Sequence, residues 1–245
     1  MSLIPPNPDA VVSEDEDNVC IPEHCFRCFD ALFCALTSHT LLPAEFPDEK
    51  YPLFVTWNTR SLRPGRAPRL RGCIGIFQPI SLRDGLAEYA LISAFEDSRF
   101  KGIEQHELVN LECGISLLTD FEDASSYLDW TVGVHGIHIS FPHPTLLPAP
   151  TSPSTSPSPL SSSSSVPTRS SLKHTFSATY LPEIAPEQGW DKIETIDSAI
   201  HKAGWNGRIT EDIRRSVKLR RYQSRKCTVD WEEYVQWRTK NGGRM

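Results

Sequence analysis

Long apolar runs are missing from this chain. No segment approaches the roughly 18 consecutive apolar residues that mark a membrane span, and MSLIPPNPDAVVSEDEDN lacks the basic-then-apolar order of a secretory signal. Basic excess is missing as well: a net charge of -6 excludes wholesale coating of nucleic acid. The seven cysteines are odd in number, scattered, and often at apolar positions, so they do not read as a disulfide framework. Reduced thiols, a cytoplasmic or nuclear location and no membrane attachment are the expectation.

What is present reads as an ordinary globular protein. At 245 residues, 39% of them hydrophobic, the chain can bury the core of one large domain. Asn18 is placed to cap a helix in which Ile21, Cys25, Phe29, Leu32, Phe33 and Leu36 recur at helical spacing. YPLFVTWN (51–58) and LRGCIGIF (70–77) read as strands joined by the loop SLRPGRAPR, and they are expected to pair antiparallel. Pro79 should close the second strand, and Ser81 with Asp84 should open a helix over LRDGLAEYALISAF. Strand patterns return at CGISLL (113–118) and GIHISF (136–141). Helical patterns return at 191–202, after Thr210, and in WEEYVQWR.

Between residues 143 and 171 the composition collapses to Ser, Pro and Thr, a tract with too little apolar surface to offset its ordering entropy. Its flanks, GIHISF and HTFSATYLPE, both read as strands. The expected organisation is a disordered acidic tail at 1–17 and one domain over 18–240, interrupted by a disordered hairpin insertion at 143–171.

Candidate chemistry centres on LRGCIGIF. Gly72 and Gly75 weaken a strand unless something must come close to the backbone, and Arg71 would favour a thiolate at Cys73. Read that way the segment is a reactive-thiol site; read the other way Cys73 is a small hydrophobe in a tightly packed strand. His135 in VGVHGI is a general-base candidate or a histidine bonded to backbone, and His138 is a weaker one. Glu187 either orients His135 or binds a cation, or else caps the helix starting near Trp190; Glu183 reads as structural. Asp97 and Arg99 form a local ion pair, with Arg99 able to recognise an anion. Cys20, His24, Cys25 and Cys28 invite a zinc reading, but all four fall on one helix, so packing is preferred and no metal site is expected. The basic run RRSVKLRRYQSRK could track phosphates; buried Val217 and Leu219 and an acidic partner in the N-terminal tail argue for structure instead.

LRGCIGIF with YPLFVTW upstream, DSRF at 97–100, VGVHGIHI and YLPEIAPEQGWDKIETID occur here in the order of one family. Over about Cys20 to Tyr234 the chain resembles the AMMECR family, named for the chromosomal region linked to Alport syndrome, midface hypoplasia and elliptocytosis. The resemblance implies an α+β fold, an antiparallel sheet flanked by helices, with a larger lobe, a smaller lobe and a cleft between. It implies no settled reaction and names no cofactor. Proposals for the family include regulatory roles in nucleic-acid metabolism and, because prokaryotic relatives occur alongside Memo-type and radical-SAM proteins, a catalytic or accessory role. Two features depart from the family pattern: Ile76 stands where threonine is expected, and the Ser/Pro tract lengthens a hairpin that is normally short.

The function expected on these grounds is that of a regulatory or accessory protein with a ligand-binding cleft, its partner a protein or a small anionic ligand. One alternative is a cysteine-dependent enzyme with Cys73 as nucleophile, His135 as base, Glu187 as orienting carboxylate, and Arg71, Gly72, Gly75 and Arg99 around an anionic substrate. The other is a nucleic-acid-associated regulator.

Overall fold

The computed structural model describes residues 19–61, 65, 67–143 and 175–245. In chain order the elements are α1 (Pro22–Thr37), β1 (Lys50–Thr59), β2 (Arg69–Ser81), α2 (Leu82–Phe95), a 3-10 turn (Gln105–Asn110), β3 (Leu111–Asp123), β4 (Gly136–Pro142), β5 (Thr175–Tyr180), α3 (Ile184–Gln188), α4 (Lys192–Lys202), α5 (Glu211–Ser216), β6 (Lys218–Asp230) and α6 (Trp231–Lys240). The strands form an antiparallel sheet in the order β2-β1-β3-β6-β4-β5, and with the helices this makes an α+β protein. The chain divides into two compact units, Met1–Thr119 with Ser224–Met245, and Asp120–Gln223.

In the first unit, the two-residue repeat of β1 sends Leu53, Val55 and Trp57 to one face, and Leu111, Cys113, Ile115 and Leu117 of β3 join them. Over that face lie Cys25, Phe29 and Leu32 of α1, Leu82, Leu86 and Ala90 of α2, and Tyr234 of α6. Each fully buried large apolar side chain contributes about 1.5–3 kcal/mol, and Trp57 also donates its indole N–H to the Ala90 carbonyl at 3.0 Å. Asp30 and Arg238 form an ion pair inside this core, 0% and 2% exposed. Asp30 also accepts from the Tyr234 hydroxyl at 2.9 Å and the Leu42 N–H at 2.7 Å.

Several expected element ends are corrected. Helix α1 starts at Pro22, whose missing N–H costs nothing in a first turn; the Ile21 N–H donates to His24 Nδ1 at 3.3 Å. Asn18 lies outside the described residues. Pro79 does not close β2, which continues to Ser81, because an edge strand tolerates a missing donor. Ser81 makes no side-chain cap on α2; its hydroxyl donates to Asp48 Oδ1 at 2.6 Å, and that same oxygen accepts the Arg83 N–H at 3.0 Å. The cap arrives from a distant segment, so no local motif announces it.

The second unit has its own core of Ile137, Ile139, Phe141, Ile196, Ile200 and Leu219. Strands β4 and β5 pair antiparallel with Ile139 opposite Ala178, as expected of the tract's flanks; residues 144–174 themselves, which hold nearly all of the Ser/Pro tract, lie outside the described residues. Helix α4 is capped by Asp191, which accepts the Glu194 N–H at 2.8 Å, so the capping role considered for Glu187 belongs to Asp191. The helical pattern after Thr210 lasts only to Ser216. Beyond it the chain turns into β6, and Lys218, Arg220 and Tyr222 alternate with Leu219 and Arg221 across the sheet.

Candidate functional site

Strand β2 is the edge of the sheet, and Cys73 stands opposite Thr56 of β1. An edge strand leaves backbone donors and acceptors open on its outer side, an invitation to unwanted pairing. At Cys73 both groups are taken by side chains. The Cys73 N–H donates to Asp97 Oδ2 at 2.9 Å, and Arg99 Nη2 donates to the Cys73 carbonyl at 3.2 Å. The same guanidinium forks onto Asp97, with Nε to Oδ1 at 2.9 Å and Nη2 to Oδ2 at 2.6 Å. Asp97 also accepts the Arg99 N–H at 3.2 Å. The turn after α2, closed by the Phe100 N–H on the Asp97 carbonyl, is what delivers the pair to the strand. The DSRF segment therefore covers LRGCIGIF as a neighbouring strand would.

Asp97 is 5% exposed, while the Arg99 side chain is 54% exposed. Donation from Arg99, reinforced by the Cys73 N–H, holds the Asp97 carboxyl far below its ordinary 3.8. The local ion pair expected from the sequence is half-buried and holds both backbone groups of Cys73.

Arg71 is equally occupied. Its Nε and Nη2 meet Glu107 at 2.8 and 2.9 Å, and Nη1 and Nη2 meet the carbonyls of Lys101 and Gly102 at 2.7 and 3.1 Å. Glu107 is held below the ordinary carboxylate range by that guanidinium. The cation expected to act on Cys73 thus anchors the 101–107 loop to β2.

The glycines have packing reasons. A Cβ on Gly72 would sit 2.1 Å from the Ser93 carbonyl oxygen of α2; one on Gly75 would sit 2.3 Å from Phe54 Cγ and 2.4 Å from the Leu53 oxygen. Helix α2 and the Phe54 ring fill the space that a side chain would need. The Thr56 hydroxyl donates to the Cys73 sulfur at 3.1 Å, and the cysteine is half-buried. Phe54 and Phe77 pair edge to face nearby, and Gly114 faces Thr56 from β3 with Thr228 alongside. Around Cys73 the sheet therefore presents small, hydroxyl-bearing and aromatic groups.

His135 and Glu187 belong to the second unit. The Thr131 N–H donates to His135 Nδ1 at 3.0 Å, so the neutral ring carries its proton on Nε2. Burial, with Arg221 near, lowers the His135 pKa and keeps the ring neutral. Glu187 is exposed on α3. His138 stands opposite Arg220 on β4, its pKa lowered by burial and by that arginine.

Arginines of the basic run are paired within the second unit; the acidic tail proposed as their partner lies outside the described residues. Arg214 meets Asp197 and Glu211, Arg215 meets Glu211, and Arg221 meets Glu122 and Asp129. Lys218 and Arg220 help line a cavity of about 780 Å³ with His138 and Ser140. Among the described residues no group of three or more His, Cys, Asp or Glu is placed to hold a metal ion. Cys20 precedes α1 rather than lying on it, while Cys25 and Cys28 are buried in the core. Nor is any described helix long and apolar enough to cross a membrane.

Thr56, Asp97 as a backbone ligand, and Glu107 were not marked as partners of the Cys73 segment by sequence reading. The signal for Thr56 was the hairpin register; for Asp97 and Glu107 it was absent, since both contacts depend on where α2 ends in space.

A family model described as AMMECR1 matches residues 25–227. An uncharacterized protein of Arabidopsis thaliana is 42% identical over 215 residues, covering 88% of this chain and 87% of that protein. An uncharacterized protein of Kluyveromyces lactis is 37% identical over 196 residues, covering 75% and 74%. The crystal structure of an uncharacterized protein from Pyrococcus horikoshii has the same fold, with a TM-score of 0.58, 23% identity, and coverage of 84% of this chain and 89% of that one. By the extent of these matches, the chain belongs to the AMMECR1 family.

Proposed function

We propose that this protein is a regulatory or accessory binding module, and that it recognises a small ligand or partner side chain on the Cys73 face of the first unit's sheet. One observation carries the reading: the charged groups of the Cys73 segment are consumed by structure, Asp97 and Arg99 on the Cys73 backbone and Arg71 on Glu107. What faces outward there is Thr56, Cys73, Phe54 and the exposed side of Arg99, a surface suited to binding more than to bond-breaking. The internal pairing of Arg214, Arg215 and Arg221 weighs against the nucleic-acid alternative.

A thermal-shift screen of the intact chain against anionic and neutral metabolites tests this. A binder whose shift survives Cys73→Ala but falls in Thr56→Val and Arg99→Ala supports the module. Turnover of any such compound, lost in Cys73→Ala, overturns it. The cysteine-enzyme reading keeps one specific support, the Thr56 hydroxyl directed at a half-buried sulfur, a contact that would stabilise a thiolate.

A further inference from the structure

Strand β6 alternates across the sheet, and its partner β4 does the same. Leu219 and Ile139 stand opposite each other and are buried in the second unit's core. The two-residue repeat therefore sends Lys218 and Arg220, with Ser140 and His138 opposite them, to the other face. Neighbouring strands thus put two cations, a hydroxyl and an imidazole side by side. All four line the cavity of about 780 Å³, a volume suited to one small molecule. Every lining residue belongs to the second unit, so none of the cavity comes from the Cys73 segment.

The cations of this run are not equivalent. Arg214 and Arg221 are each committed to a carboxylate at 2.7 Å, and Arg215 meets Glu211 at 3.0 Å. Lys218, by contrast, makes no ion pair or side-chain hydrogen bond among the described residues. Arg220 has only Asp123, at 3.8 Å, and that carboxylate is 92% exposed, a contact of little weight. The other carboxylate in the lining, Glu211, already accepts from the Tyr127 hydroxyl at 2.9 Å and from Arg215. Arg220 is supported from below all the same: its guanidinium lies over the Phe121 ring, 5.0 Å from the centroid, and Phe121 stacks on Tyr222. The fold consumes the neighbouring arginines and leaves Lys218 and Arg220 to the cavity.

A ligand that answers both cations needs several acceptor oxygens on one centre. A phosphoryl group brings three, with a charge of about -1.5 to -2 at neutral pH, where a carboxylate brings two and a single charge. Ser140 adds a hydroxyl donor, and His138 beside it stays a neutral ring, its pKa lowered by burial and by Arg220. We propose that this cavity binds a small phosphorylated molecule, with Lys218 and Arg220 on the phosphoryl oxygens, Ser140 donating to the same group, and the organic part against Leu128 and Val217. Two adjacent uncommitted cations match one phosphoryl group; a nucleic-acid strand would need a longer track of them.

The test follows the backbone amides of the isotope-labelled full chain by NMR during titration with inorganic phosphate and with adenosine monophosphate, against sodium chloride at matched ionic strength. The expected result is a saturable shift of the amides at 138–140 and 218–220 with at least one phosphate probe and none with chloride. Lys218→Ala and Arg220→Ala should each raise Kd about tenfold or more, the loss of one charge-assisted hydrogen bond. Both side chains are exposed, so both variants should keep a Tm within about 2 °C of wild type. Arg99→Ala, on the Cys73 face, should bind the probe as wild type does, which separates this cavity from that site. Shifts that follow ionic strength alone, saturation left intact by both cation variants, or no shift at these amides with either phosphate probe would overturn the proposal. So would a short single-stranded RNA that displaces adenosine monophosphate and binds many times more tightly, since the cations would then be a nucleic-acid contact.

Discussion

Replacing Asp97 by alanine removes the acceptor that holds the Cys73 N–H and the Arg99 N–H, at 2.9 and 3.2 Å. A hydrogen bond to a charged group is worth about 1.5–3 kcal/mol net, and an N–H left without its acceptor costs about 1–3 kcal/mol. The Arg99 guanidinium is 54% exposed and can turn to water, so its half of the ion pair adds little. The expected loss is about 2–4 kcal/mol, or roughly 5–15 °C in Tm for a chain of this size. Asp97→Asn keeps an acceptor without the charge and should lose about half as much.

The pH dependence gives a second handle. Because folding depresses the Asp97 pKa, its contribution is fully present above the unfolded value of 3.8 and is lost as pH falls through the folded one. The Tm gap between wild type and Asp97→Asn should be steady from about pH 5 to about pH 8 and close on acidification below about pH 4. Thermal unfolding followed by circular dichroism, with hydrogen exchange read at the Cys73 amide, makes the measurement. An Asp97→Ala Tm within about 1 °C of wild type, or a gap that widens in acid, would refute the edge-cover argument.

Further outcomes follow from the packing and the charges. Gly72→Ala and Gly75→Ala should each cost more than about 2 kcal/mol or yield insoluble protein, because backbone carbonyls at 2.1 and 2.4 Å cannot give way as a side-chain tip would; urea unfolding checks it. Asp30→Ala and Arg238→Ala each leave a buried charge unpaired and should lose about 3–5 kcal/mol in the same assay, with the double variant far less than additive. NMR titration of His135 should give a midpoint below 6.5, and a midpoint above 7 would contradict a ring held neutral by burial and by Arg221.

Much of the fold was open to reading from periodicity. The α1 stripe through Cys25, Phe29, Leu32 and Phe33 and the β4–β5 pairing are as expected, because burial enforces 3.6- and 2-residue repeats locally. Strand β6 is obscured by its five lysines and arginines, which disguise a period-two pattern when their stems cover the sheet. The extents of α2 and α4 are as expected and only their caps differ: Asp48 reaches α2 from outside the local window, and Asp191, not Glu187, caps α4. At the candidate site, Arg99 reaches the Cys73 carbonyl and Arg71, two residues before Cys73, reaches Glu107. Their roles were not legible, since whether an arginine faces a sulfur or a carboxylate depends on where Asp97 and Glu107 arrive.

The central claim is that the Cys73 segment is built for shape and recognition rather than for a poised nucleophile. Peptide-resolved alkylation of the native chain with iodoacetamide at neutral pH tests it most directly, timed against a cysteine in an unstructured peptide. The account predicts that Cys73 reacts no faster than that reference, and that Arg71→Ala and Arg99→Ala do not slow it. A Cys73 that reacts many times faster than the reference, and slows when Arg99 or Thr56 is replaced, would contradict the account and make the sulfur the working group of the site.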